Sequence, residues 1–151
     1  MIHVLIRPEF ESQLEARLVE TTAQFVLEHE AIPPETSLSV VITDDEEIRS
    51  LNRQFLGIDA PTDVLAFGQD PTTDPVVPDP DEEPYLGDVL LSFVQAQMQA
   101  AEQQHGTIVE IRLLIVHGIL HLLGYDHDTP EARASMWALQ DAILTKLEES
   151  R

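Results

Sequence analysis

The hydrophobic positions of this chain follow two periods, one typical of strands and the other typical of helices. Short runs rich in β-branched residues predict strands at residues 2–6, 37–43, 64–67 and 86–92. Apolar residues spaced three or four apart predict helices at about residues 9–30, 44–55, 93–105, 107–123 and 129–147. This order of elements fits a small α/β (α+β) domain, in which about five helices pack with one four-stranded mixed sheet.

Polar residues at the helix ends define several of these boundaries. Residues 43–46 and 107–110 both match the capping box, in which a Thr or Asp side chain accepts a hydrogen bond from the first turn and a Glu closes the pair. This pattern assigns Glu110 to capping. Thr129 and Pro130 are the expected N-cap and first residue of the last helix. We expect the second helix to bury its apolar residues, Ile48, Leu51 and Phe55.

Residues 69–84 interrupt the pattern with five prolines and six acidic residues. A segment of this composition cannot bury enough apolar surface to form a packed element. We expect either a solvated loop or a lid over the functional site. Because there is no internal repeat and no domain boundary in the sequence, residues 1–151 are predicted to form one domain, which is long enough to bury most of its apolar surface.

Three of the six histidines fall within residues 117–127. His117 and His121 are one helical turn apart, so the predicted helix presents both on the same face. Gly124 allows the left-handed residue that commonly ends a helix, and the turn brings His127 back toward the pair. Three imidazoles with a fourth position open are typical of a catalytic zinc. We therefore predict one Zn²⁺ at the three histidines, with Ni, Fe or Co as less favoured ions.

The residue after the first histidine argues against a protease. The spacing His-x-x-x-His-x-x-Gly-x-x-His is shared with metzincin proteases, which carry a Glu directly after the first histidine as general base. This chain has Gly118 there, which can neither accept a proton nor orient water. Two interpretations are open for Asp126, next to His127. It either fixes an imidazole tautomer or hydrogen-bonds the backbone of the turn. Tyr125 is expected to pack with a satisfied hydroxyl.

The amino-acid composition limits the cellular compartments and the binding partners that can be expected. The chain has no cysteine, which excludes disulfides and thiolate zinc ligands. No apolar run is long enough for a membrane span and the first residues lack the layout of a signal peptide, so we expect a cytoplasmic monomer with no membrane partner. Eight Lys and Arg against twenty-eight Asp and Glu give a formal net charge of −20. This charge repels polyanions at long range, so contact with nucleic acid needs a local basic patch.

Residues 117–127, His-Gly-Ile-Leu-His-Leu-Leu-Gly-Tyr-Asp-His, resemble the signature of the YbeY family of bacterial metallo-endoribonucleases. Residues 51–52, 59–67 and 86–92 agree with the same family, so the resemblance covers nearly the whole chain. It implies a small α/β domain with zinc bound by the three histidines in a cleft. It also implies an endoribonuclease that cuts single-stranded RNA, matures the 3′ end of 16S ribosomal RNA and acts in 70S ribosome quality control.

One position departs from that family. The family has an arginine, regarded as catalytically important, where this chain has Leu56. Arg53 lies one turn earlier on the predicted helix, and Arg49 lies another turn back. Arg53 either takes over the phosphate contact as a catalytic residue or is an exposed surface arginine. Asp63 and Asp88, at the ends of neighbouring strands, either act as general base or hydrogen-bond loop backbone.

Two other functions stay open at this point. The first is a zinc hydrolase of another substrate, including peptides, and the second is a non-catalytic metal-binding module on the ribosome. The acidic composition predicts that affinity for naked RNA is weak and salt-sensitive. A partner with a basic surface, such as the ribosome, would then contribute the missing positive charge.

Overall fold

The computed structural model of the protein describes residues 1–68 and 84–150. The proline-rich, acidic segment predicted at 69–84 therefore lies outside the described residues, apart from Pro84. The four strands are β1 (Ile2–Ile6), β2 (Ser37–Thr43), β3 (Val64–Gly68) and β4 (Tyr85–Ser92). They form one sheet in the order β1-β2-β4-β3, in which β1 and β4 run parallel to β2 and β3 runs antiparallel to β4. The predicted mixed sheet is confirmed.

Five α-helices are found in the described residues, together with a short 3-10 helix at Pro8–Phe10. They are α1 (Ala16–His29), α2 (Asp45–Leu56), α3 (Phe93–Glu102), α4 (Thr107–Leu122) and α5 (Pro130–Glu149). Side-chain caps start three of them. Asp44 accepts from the Glu47 N–H at 2.9 Å, Ser92 accepts from the Gln95 N–H, and Thr129 accepts from the Ala132 N–H.

The predicted first helix begins too early, because tertiary packing overrides its local periodicity. The chain forms the 3-10 helix and a turn before α1 starts at Ala16. This path buries both Phe10 and Leu14, and the Phe10 ring stacks on Phe93 with 4.7 Å between ring centroids. A continuous helix from Glu9 satisfies the local pattern, but burial of the two apolar side chains decides the path of the chain.

Two further expectations about the helices are wrong. Phe55 is 59% exposed and lies against Phe67, because the last turn of α2 extends past the small core beneath it. The capping box at the start of α4 does not form, since the N-cap is Gly106 without a side-chain bond. Glu110 is instead buried at 4% exposure, and its Oε2 lies 2.7 Å from Nε2 of His105.

The central helix α4 lies against one face of the sheet, and α2 covers the other. Successive strand residues face opposite sides, so Val64 and Val89 lie toward α4, whereas Leu65 and Leu90 pack with Ile48 of α2. Gly118 marks a close approach of α4 to β4, because a Cβ there would lie 2.6 Å from the Val89 Cγ1 atom. The helix can therefore sit this close to β4 only with glycine at that position.

No single helix of residues 1–68 and 84–150 is long and apolar enough to cross a membrane. α3 and α4 meet the length and composition requirement only when taken together, and they are bent by 115° at the break between them. Half of the residues of α4 are buried, and six of these belong to the main core of this domain.

Candidate metal centre

The end of α4 and the turn after it bring three imidazoles together. His117 and His121 lie on one face of the helix, with 4.7 Å between ring centroids. Gly124 adopts a φ of +99° after the helix end, and the Tyr125 N–H donates to the Leu120 carbonyl at 3.1 Å. This left-handed turn returns the chain toward the helix. As a result His127 lies 5.0 Å from His121 and 6.0 Å from His117, measured between ring centroids.

The spacing of the ring nitrogens fits a single metal ion. One nitrogen from each of the three histidines lies within 4.8 Å of the others. Two nitrogens that each lie about 2.0–2.1 Å from one tetrahedral zinc are less than 4.8 Å from each other, so the cluster is compact enough to share one ion. All three rings are half-buried, so the cluster has one side toward the protein and one side open. The donor set and its geometry fit a metal with three imidazole ligands and an open position.

Gln140 of α5 fixes the orientation of the first imidazole. Its Oε1 lies 3.0 Å from Nδ1 of His117, and the residue is only 4% exposed. A carbonyl oxygen can only accept, so Nδ1 of His117 carries the hydrogen and Nε2 is left with its lone pair. Metal-binding histidines are commonly oriented in this way by a second hydrogen bond.

Trp137 forms a wall of the same cluster. Its indole stands at nearly right angles to His117 and His127, with centroid separations of 5.4 and 5.9 Å. Trp137 precedes Gln140 by three residues on α5, so one helix face supplies both contacts. The residue is nevertheless 42% exposed.

Burial favours the neutral form of His117 and His121, which is the form that binds a metal. Burial lowers the pKa of His117, although the Gln140 hydrogen bond and the charge of Asp63 act in the opposite direction. Burial also lowers the pKa of His121, and the neighbouring imidazoles lower it further. Since only a neutral imidazole binds a metal, both residues are suited to ligation at neutral pH.

The acidic candidates lie in different places. Asp63 acts on His117 through its charge, but both its oxygens are engaged, Oδ1 with the Val64 N–H at 2.8 Å and Oδ2 with the Gln99 Nε2 at 3.2 Å. Asp88 follows Gly87 and precedes Val89, which faces α4, so its side chain projects from the opposite face of the sheet. There it accepts a hydrogen bond from the Tyr85 hydroxyl. Asp88 is therefore not placed to serve the cluster.

The turn between the second and third histidines is tied to α1. The Tyr125 hydroxyl donates to Glu30 Oε1 at 2.7 Å, as expected of a satisfied hydroxyl, and the residue is 37% exposed. Glu30 Oε2 lies 3.0 Å from His29 Nδ1. Asp126 Oδ1 accepts the backbone N–H of His127 at 2.6 Å, which favours the interpretation of Asp126 as a turn residue.

Comparisons with known proteins assign the chain to a family. The sequence profile of the family described as Endoribonuclease YbeY matches residues 7–148. The endoribonuclease YbeY of Chloroflexus aggregans is 44% identical over 135 residues, which are 89% of this chain and 88% of that protein. That of Roseiflexus castenholzii is 40% identical over 152 residues, 100% of this chain and 95% of that protein. The chain belongs to the YbeY family.

A solved structure agrees with the fold. The solution structure of TM1509 from Thermotoga maritima superposes with a TM-score of 0.59 over 99% of this chain and 93% of that one, at 23% sequence identity. At that identity the similarity supports the architecture. The named YbeY relatives are endoribonucleases, which are hydrolases that act on phosphodiester bonds of RNA.

The YbeY departure at Leu56 leaves an apolar, 56% exposed residue at the end of α2. Arg49 is not available as a replacement, because it forms a two-bond ion pair with Asp59 at 2.8 and 3.3 Å. That carboxylate's pKa is lowered by the Arg49 hydrogen bond. Arg53 is exposed, and within residues 1–68 and 84–150 it has no ion-pair partner.

Two residues that contact the histidine cluster, Trp137 and Gln140, were not predicted from the sequence. The sequence of α5 contains a feature that could have identified Gln140. Its buried positions are Met136, Gln140, Ile143 and Leu147, so a glutamine occupies a place where the helical period calls for an apolar side chain. A buried amide needs a partner, which points toward a polar site opposite that face.

Proposed function

We propose that this protein is a zinc-dependent endoribonuclease that cleaves single-stranded RNA. We further propose that it acts in the cytoplasm as a monomer, in the maturation of the 3′ end of 16S ribosomal RNA and in 70S ribosome quality control. The single observation that carries the proposal is the three-imidazole cluster with one open side, in a chain that belongs to the YbeY family. Gly118 in place of a general-base glutamate favours RNA over peptides as the substrate.

The residues that would hold zinc are His117, His121 and His127. Bound there, zinc supplies a Lewis acid for a phosphoryl oxygen and lowers the pKa of water. Ni, Fe or Co suit imidazole ligands as well, but are less favoured. The protein's own contribution is to lower the pKa of His117 and His121 through burial and to leave Nε2 of His117 available through the Gln140 hydrogen bond.

Asp63 is assigned a positioning role. Its Oδ1 binds the first N–H of β3 and its Oδ2 binds the side chain of Gln99, so the carboxylate ties β3 to α3 beside the cluster. A carboxylate whose two oxygens are both engaged is a poor proton acceptor for a substrate. Its negative charge nevertheless favours positive charge at His117, and this effect helps to retain a cation at the cluster.

Arg53 is proposed as the catalytic arginine in place of the family residue at Leu56. The support is its exposure and its lack of an ion-pair partner in the described ranges, whereas Arg49 is held by Asp59. Arg53 acts on Asp59 only through its charge, without an ion pair, so its guanidinium can offset the charge that develops on a phosphoryl group. We expect Arg53→Ala to lower kcat/KM for RNA by about 100- to 1000-fold, the range found when one charge-stabilising donor is removed. Arg49→Ala is the matched control and leaves kcat/KM near that of the wild type.

The net charge of −20 implies that the enzyme does not bind naked RNA strongly. We propose that the ribosome is the partner and that basic ribosomal proteins neutralise the acidic surface. On this view, cleavage of a free oligonucleotide is salt-sensitive, and cleavage of RNA within a ribosomal particle is less so.

The proposal is tested by coupling metal analysis to RNA cleavage. Wild-type protein and His121→Ala are assayed for bound metal and for cleavage of a labelled single-stranded RNA, a matched duplex and a peptide library. We expect the wild type to bind one ion and to cut the single strand, and the variant to lose both properties. Turnover of peptides without RNA cleavage supports a different hydrolase, and cleavage by the metal-free variant points to a contaminating nuclease.

A further inference from the structure

We propose that Trp137 is a base-binding residue, on which an unpaired nucleobase of the RNA strand stacks beside the three-histidine cluster. This inference rests on the proposed function and extends it to the substrate. Trp137 is the only tryptophan of the chain, and it is 42% exposed although it contacts two of the cluster's rings. The exposed part of the indole is available to a ligand that approaches the cluster.

The indole is held at a fixed distance from the place where a phosphate would bind. Its centroid lies 5.4 Å from that of His117 and 5.9 Å from that of His127. Gln140 lies one turn further along α5 and is bonded to Nδ1 of His117, which fixes the helix relative to the cluster. A phosphate at the open side of the cluster therefore has a base of the same or the adjacent nucleotide within reach of the indole.

The surface around the indole suits a single strand. Ala134 and Ala138 are small and exposed, so neither blocks approach to Trp137. Arg133 precedes Trp137 by one helical turn, is exposed, and has no ion-pair partner in the described part of the chain. An aromatic ring next to a free cation is the combination by which proteins bind unpaired nucleotides, the ring taking the base and the cation the phosphate.

Stacking also explains how so acidic a protein can bind RNA. The net charge is −20, and the family arginine position is Leu56. Base–aromatic stacking does not depend on net charge, and it requires an unpaired base, because the faces of a paired base are covered by its neighbours in the duplex. The same residue thus contributes affinity and a preference for single strands.

The sole tryptophan provides a direct test of binding. Zinc-loaded protein is titrated with a ten-nucleotide 2′-O-methyl RNA, as a single strand and as a duplex, while indole fluorescence is recorded. We expect the single strand to quench the fluorescence and the duplex to leave it nearly unchanged. An unchanged fluorescence with a bound single strand, observed in parallel by anisotropy of a labelled RNA, would overturn the proposal.

Variants separate stacking from packing. We expect Trp137→Leu to raise KM for single-stranded RNA by about 5- to 150-fold, equivalent to ~1–3 kcal/mol per stacked base, with the zinc content unchanged. Trp137→Phe retains most of the affinity. Phe25→Leu, the same kind of change at a half-buried ring on α1, leaves KM unchanged. Loss of zinc from Trp137→Leu would overturn the proposal, because the indole would then only support the imidazoles.

Abasic substrates locate the base. A single abasic site is moved along the RNA, and we expect one position near the cleaved bond to raise KM for the wild type but not for Trp137→Leu. Equal effects in both proteins at every position contradict the base site. Failure of the proposed function is distinguishable, since it shows as a zinc-loaded wild type that cleaves none of these RNAs.

Arg133→Ala tests the phosphate contact. It is expected to weaken binding of all sequences alike and to reduce the slope of log affinity against log salt concentration by about one.

Discussion

The hydrogen bond between Gln140 and His117 allows a quantitative prediction about metal affinity. In Gln140→Leu the side chain keeps a similar volume, so the packing of α5 against α4 is largely retained. The acceptor at 3.0 Å from Nδ1 is lost, in a place where Gln140 is 4% exposed and water does not replace it readily. The change therefore removes one hydrogen bond and little else.

The expected loss of zinc affinity follows from leaving the Nδ1–H group of His117 without an acceptor. Loss of the hydrogen bond that orients a ligand typically costs about 10- to 100-fold in metal affinity. That range corresponds to about 1.4–2.7 kcal/mol, comparable with the ~1–3 kcal/mol cost of leaving a buried donor unsatisfied. The Gln140 bond also raises the pKa of His117, so its removal lowers that pKa further. Protons then compete less with the metal, and the affinity loss is larger at pH 8 than at pH 6.

Zinc affinity is measured by competition with a chromophoric chelator at both pH values. Gln140→Glu supplies a carboxylate acceptor and is expected to bind zinc at least as tightly as the wild type. Gln103→Leu, the same substitution at an exposed position after α3, is the control and changes nothing. A Gln140→Leu protein with wild-type zinc affinity refutes the assigned role of the hydrogen bond.

Three further predictions concern stability. Gly118→Ala places a Cβ 2.6 Å from Val89 Cγ1. We expect overpacking to lower the free energy of unfolding, measured by urea denaturation, by ~1–3 kcal/mol. In a Val89→Ala background the same change should raise the free energy of unfolding. His105→Ala leaves the buried Glu110 carboxylate without its partner and lowers the free energy of unfolding by ~1–3 kcal/mol, whereas exposed His3→Ala leaves it unchanged. Burial lowers the pKa of His117 and His121 in the folded protein, whereas an imidazole of the unfolded chain has a pKa of about 6.5. Below that pH the unfolded chain therefore binds more protons than the folded chain. Unfolding of the metal-free protein, followed by circular dichroism, should therefore become easier as pH falls from 7.5 to 5.5, and a pH-independent midpoint contradicts this.

Much of the fold could be predicted because its information is local. The β-branched runs of the strands and the caps at Asp44 and Thr129 act within a few residues. The errors arose where distant packing decides. Phe10 turns inward to meet Phe93, and Glu110 leaves its expected cap to pair with His105. In both cases the local pattern was satisfied equally well by the wrong structure.

The candidate site divides in the same way. The approach of His117, His121 and His127 follows from helix geometry and one left-handed glycine, so spacing alone predicted it. The roles of Trp137 and Gln140 depend on how α5 crosses α4, an angle that no short sequence pattern encodes. Likewise, the strand register was needed to show that the Asp88 side chain projects from the face of the sheet opposite the histidine cluster, whereas the charge of Asp63 acts on His117.

Stoichiometric reconstitution with zinc measures directly whether RNA cleavage requires a metal at the three histidines. Metal-free wild-type protein is titrated with Zn²⁺ while cleavage of a labelled single-stranded RNA is followed. We expect no cleavage at the start, a linear rise and saturation at one ion per chain, the capacity of the three-imidazole cluster of the described residues. Cleavage by the metal-free protein at the rate of the reconstituted protein would contradict it.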